Sequence, residues 1–196
     1  MEIILAALIG AAATLSTTLI SLYFKSKSNL KCKNELLKTH VDQNANVYTA
    51  LDYTMKELNC DRINIFEFHN GDTYYSGSSQ QKFSNTYELT KEGISSESTK
   101  LQNLRISNFN TLVKEVIKND MFVCENINTI DSCTEKEFLK GQGVKSIYSF
   151  CIQTLTGKSI GIFSVSYVSN PAQLDEKQIK FLENQAMIIG GYISMN

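Results

Sequence analysis

A single proline, two histidines and no CxxC pair in 196 residues remove several classes of function at once. Cys32, Cys60, Cys124, Cys133 and Cys151 are odd in number and widely separated, which argues against a disulfide framework and a zinc ribbon. A reducing compartment suits such thiols. The chain also lacks a basic excess: its formal charge is −1 and its pI about 6.1, with the lysines of the later segments spread among glutamates. A nucleic-acid surface is therefore not expected. No Walker loop, nucleophile elbow or paired-carboxylate motif occurs, and Ser76-Gly77-Ser78-Ser79 is too degenerate to count as a phosphate cradle.

The most consequential absence is charge between Ile3 and Phe24, because the next nine residues, KSKSNLKCK, carry four lysines. As a helix the run spans about 33 Å, slightly more than the ~30 Å of a bilayer core. No lysine precedes it and it is longer than a signal-peptide core, so a membrane anchor is expected over residues 1–24 rather than a cleaved leader or a buried helix. Lys25, Lys27, Lys31 and Lys33 place the following residues on the cytoplasmic side of a single-pass protein. Ala6, Gly10, Ala13 and Thr17 form a stripe of small residues that would let two such helices approach.

Residues 25–58 read as a basic flank and an amphipathic helix. Leu30, Leu37, Asn44, Leu51 and Leu58 recur every seven residues, and Val41, Tyr48 and Met55 follow three of them by four. This is the pattern of a parallel coiled-coil homodimer, with Asn44 fixing register. Its alternative is a helix whose stripe packs on its own domain.

From residue 59 strand and helix patterns alternate. Arg62–His69 is apolar on both faces, Ile63 and Ile65 on one and Phe66 and Phe68 on the other, which predicts a strand covered on both sides. Asn70-Gly71-Asp72 predicts its end, and 73–81 a polar loop. Further strands are expected over 82–90, 121–127, 144–154 and 159–168, the last two joined at Thr156-Gly157-Lys158. Helices are expected over 103–118, 135–140 and from Pro171 to about Ile193. The sum is an α+β fold, an antiparallel sheet with its terminal helices on one face.

In that order of elements the chain resembles the GAF family of sensory domains from about Asn34 to Ser194. The most specific part is SFCIQTLTGKSIGIFSVSYVSNPAQLDEKQIKFLENQAMIIGGYI, where Gly157, Ile160, Gly161 and Val165 occupy a "G-x-x-I-G-x-(apolar)-x-V" pattern, followed by Leu174, Asp175 and a helix. IFEFHNGD is similar to a "FHNG" variant of divergent bacterial and phage GAF-like proteins. The resemblance implies a GAF/PAS-like fold and a small cytosolic ligand between sheet and loops. No Cys-His dipeptide of the bilin-carrying kind and no NKFDE signature is present, so the sequence names no cofactor. With no effector expected beyond Ile193, output is expected through the dimer or a separate partner. The alternative is a membrane scaffold without ligand.

Candidate ligand-binding residues are Glu67 and His69, two apart on one strand; Tyr74 and Tyr75, able to stack on a ring; Lys82, able to meet an anion; and Ser84 and Tyr87, expected on alternating faces of the second strand. Glu67 and His69 could also serve a metal-dependent enzyme, but the other histidine, His40, lies on the preceding helix. No catalytic activity is expected.

Overall fold

The computed structural model describes the backbone of residues 2–194 and the side chains of residues 18–194. The chain divides into two units after Asn44, and one helix, α1 (Glu2–Leu58), contributes to both. In the first unit Leu19, Leu22, Phe24, Leu30, Leu37 and Val41 are all exposed. Among the described residues no helix is long and apolar enough to cross a membrane. Most of the expected anchor, Ile3–Thr17 of its Ile3–Phe24, and all of the small-residue stripe lie outside the described side chains.

The second unit is built on a six-stranded sheet in which every pairing is antiparallel. Its strands are β1 (Arg62–Thr73), β2 (Ser79–Thr90), β3 (Leu104–Arg105), β4 (Met121–Cys124), β5 (Ser146–Gln153) and β6 (Ser159–Tyr167), in the order β3-β2-β1-β6-β5-β4. One face carries Ile63, Ile65, Tyr148, Phe150, Phe163 and Val165 against Val47, Leu51 and Leu58 of α1 and Leu182, Ala186 and Ile189 of α4 (Glu176–Ile193). The other carries Phe66, Phe83, Cys151 and Ile162 against α2 (Asn110–Asn119), with α3 (Cys133–Gly141) beside it. The two-sided apolar pattern of β1 is thus explained by helices on both faces.

Asn44 marks where the heptad stripe changes role. Leu30, Leu37 and Val41 are 61%, 64% and 57% exposed, whereas Leu51 and Leu58 are 0% and 8% exposed within their own domain's core. A leucine buried there is not available to a seam with a second copy, so the stripe of Leu30–Leu58 does not act as one unit.

Several boundaries differ from the sequence pattern, each because a tertiary contact outweighs a local preference. Asn70-Gly71-Asp72 does not end β1: pairing with β2 continues through Asn70↔Gln81 to Thr73↔Ser79, and the turn forms at Tyr74–Ser78 around Gly77, φ 82°. Pro171 does not start α4. Asp175 and Gln178 form a reciprocal capping box there, while Tyr148 Oη donates to the Ala172 carbonyl (2.7 Å) and accepts from the Leu174 N–H (3.2 Å), holding the linker off the helix. The helix expected over 103–118 begins as β3 and a 3-10 turn, and becomes α2 only at Asn110. β4 stops at Cys124 because Asn126 caps a 3-10 turn at Ile127–Thr129.

Two glycines mark close backbone approaches. A Cβ on Gly161 would lie 2.2 Å from the Phe66 carbonyl oxygen, and one on Gly190 2.4 Å from that of Gln153. The first keeps β6 against β1 and the second seats α4 on the end of β5.

Candidate functional site

The strand register decides which sequence candidates meet. Glu67 and His69 follow Ile63 and Ile65 on the face covered by α1 and α4, opposite Ser84 and Lys82 of β2. A bulge places Ile65 against Tyr87 and Phe66 against Asn85, so Thr86 has no partner in the register. Ser84 and Tyr87 therefore share a face instead of alternating. Ser84 Oγ lies 2.8 Å from His69 Nε2 and accepts the Asn103 N–H at 2.8 Å. Tyr87 stacks edge-on with Tyr48, and burial first, then Glu67 and Tyr48, push its phenol above its ordinary pKa.

An open groove of about 510 Å³ takes in Glu67 and His69 with Gln81, Lys158, Ser159 and Ile193, but not Lys82, Ser84 or Tyr87. Tyr74 and Tyr75 stand at the exposed hairpin tip. The seven candidates thus do not form one enclosed pocket. Among the described residues no three His, Cys, Asp or Glu side chains gather as a metal site would require.

The enclosed cavity lies on the opposite face. Its floor is Asn64, Phe66, Ile162, Ser164 and Ser166 of the sheet, and its walls include Phe83, Phe109, Leu112, Phe122, Glu135, Phe138 and Gln142. Ser164 Oγ is 2.8 Å from Ser149 Oγ. The phenylalanines form an edge-to-face chain, Phe66–Phe83 at 5.4 Å, Phe83–Phe109 at 5.1 Å and Phe109–Phe138 at 4.7 Å between centroids. About 40 Å³ remains free, room for about three waters at roughly 10–15 Å³ of such space each.

Glu135 is the distinctive wall residue. It lies in the first turn of α3, capped by Ser132, and is 2% exposed. Oε1 accepts the N–H groups of Thr111 (2.8 Å) and Leu112 (3.1 Å), supplying α2 with the cap its own sequence lacks. Oε2 is buried without a partner. The sequence signal at this position, a serine followed three residues later by glutamate, reads as a local cap. That the carboxylate reaches across to another helix and lines a cavity was not legible there.

Beyond the cavity a buried ion pair pins the loop between β2 and β3. Arg62, 1% exposed, lies 3.7 Å from Glu88 and donates to the carbonyls of Ser95 (3.0 Å) and Gln142 (3.4 Å). Glu88 accepts from Asn64 Nδ2 (3.2 Å), from the N–H groups of Glu97 and Ser98, and from the Ser96 hydroxyl. Arg62 Nε and both amide atoms of Asn85 are the other buried side-chain atoms without a partner among the described residues.

No protein-family profile and no curated protein sequence matches the chain. Solved structures do. The cyanobacteriochrome receptor PixJ superposes with a TM-score of 0.62 at 17% identity, over 78% of this chain and 95% of that one. The PixJ GAF domain of Thermosynechococcus elongatus, in its blue-light-absorbing form, gives 0.61 at 16%, over 78% and 84%. The GAF domain region of a Geobacter sulfurreducens PCA protein described as a membrane protein gives 0.61 at 15%, over 83% and 99%. With its six-stranded antiparallel sheet between two helical layers, the chain has a GAF-like fold.

Proposed function

We propose that the domain is a small-molecule sensor of the GAF type, without catalytic activity, held at the cytoplasmic face of a membrane by the helix that precedes it. The observation that carries this reading is the buried Glu135 oxygen without a partner in an aromatic cavity, since a buried polar group lacking a hydrogen bond marks strain or a binding role. The uncharged run Ile3–Phe24 and the lysines after it support the anchor. The exposed part of the heptad stripe, Leu30 to Tyr48, supports a homodimer that passes the signal on, alone or to a separate partner.

Full-length protein in detergent, screened by thermal unfolding against nucleotides and common metabolites, tests the sensor. A true ligand at 100 times its Kd stabilises by about 2.7 kcal/mol. Carbonate extraction of membranes tests the anchor, and release of the protein into the wash would refute it.

The free volume favours one second reading. About 40 Å³ is far below the ~300–1,000 Å³ of a pocket for drug-sized ligands. If no ligand shifts the midpoint and none co-purifies by native mass spectrometry, the domain is a membrane scaffold whose cavity is filled by its own side chains.

A further inference from the structure

We infer that the cavity takes a small alkylammonium ion, held by Glu135 and the faces of its phenylalanines. This rests on the reading of the cavity as a ligand site and adds the ligand's charge and size.

Glu135 is the one ionisable side chain among the cavity-lining residues; no lysine, arginine or histidine is among them. Arg62, the nearby buried cation, is engaged by Glu88 and two carbonyls. A buried carboxylate needs compensation, and the α2 amides reach only Oε1, which leaves Oε2 as an acceptor in apolar surroundings. A donor that also carries positive charge satisfies both demands, while an anion meets like-charge repulsion strengthened by the low local dielectric. Phe83, Phe109 and Phe138 line the same space, and aromatic rings attract organic cations. The small free volume limits the alkyl portion to a short one.

The test uses full-length protein in detergent micelles with methyl-labelled Leu and Ile, titrated separately with ethylammonium, ethanol and acetate, three probes of similar size. Ethylammonium is expected to give saturable shifts at Leu112, Ile130 and Leu139, with at least tenfold higher affinity than ethanol, and acetate none. Glu135→Gln keeps an oxygen for the two α2 amides and removes the charge, so it is expected to erase the preference for ethylammonium over ethanol. Equal binding of ethylammonium and ethanol, stronger binding of acetate, or a preference that survives in Glu135→Gln overturns the inference and leaves the cavity a ligand site for another chemistry. No shift from any probe overturns it too, and the metabolite screen then decides the sensor reading separately. If Glu135→Gln does not fold, the ranking of the three probes on the unmodified protein still decides.

Discussion

On the face of the sheet covered by α1 and α4, Ile63, Ile65, Phe150, Phe163 and Leu182 are at most 1% exposed and pack as one apolar cluster. On the face covered by α2 and α3, apolar rings alternate with Asn64, Ser164, Ser166 and Glu135. Every buried side-chain atom without a partner among the described residues belongs to this second side: Arg62 Nε, both amide atoms of Asn85 and Glu135 Oε2. One sheet thus separates a layer built for cohesion from one that leaves hydrogen-bonding capacity unused. Buried polar groups left without partners lower stability, so the two faces contribute unequally to the fold.

The largest effect should come from breaking the second face. Arg62→Ala leaves Glu88 buried without its cation, and denaturant unfolding should show a loss of about 3–5 kcal/mol. A loss below 1 kcal/mol would mean that the pair is solvated in solution.

On the first face, Leu51→Ala opens a void beneath α1 and should cost about 2–5 kcal/mol. Leu37→Ala, on the same heptad stripe but 64% exposed, should stay within about 0.5 kcal/mol in the monomer. A Leu37→Ala loss that grows with protein concentration would instead reveal the coiled-coil dimer.

Asp61 sits where β1 meets the end of β6, and its carboxylate accepts the N–H groups of Val168 (2.7 Å) and Ser169 (2.6 Å). Burial raises its pKa, but the Ser169 and Val168 N–H groups, the Ser169 hydroxyl and Lys91 together hold it below the ordinary value. Its contribution is therefore present above the unfolded carboxylate value of about 3.9 and lost as pH falls through the folded one. Asp61→Asn should be the less stable protein at pH 7, with the gap narrowing below pH 4. A gap constant from pH 7 to 3 in urea midpoints would remove Asp61 from the acid response.

The smallest effect compares thiols. Cys60, beneath the first face, is fully buried and its thiol is pushed up to about 12, mainly by burial. Cys151, beneath α2, is 8% exposed and raised, also mainly by burial. Under native conditions iodoacetamide should label exposed Cys32 and Cys133 first, Cys151 slowly and Cys60 last. Equal rates for Cys60 and Cys151 would show that the two faces open together.

Much of this was legible in the chain. The alternation of Ile63, Ile65, Phe66 and Phe68 gives β1 its two apolar faces, the Thr156-Gly157-Lys158 turn joins β5 to β6, and the apolar stripes of the terminal helices meet on one side of the sheet. These follow from periodicity and turn chemistry, which act over a few neighbouring residues. Three features depended on contacts between distant residues. The bulge at Thr86 put Ser84 and Tyr87 on one face, the α1 stripe divided between solvent and core near Asn44, and Glu135 capped a helix that begins 25 residues before it. Local patterning sets most of the strands and helices and the apolar sides of β1 and α4, while β3, expected as helix, follows its pairing with β2. Which face holds the cavity depends on long-range packing, because one inserted residue in a strand reverses its alternation and a carboxylate's second oxygen acquires meaning only from what surrounds it.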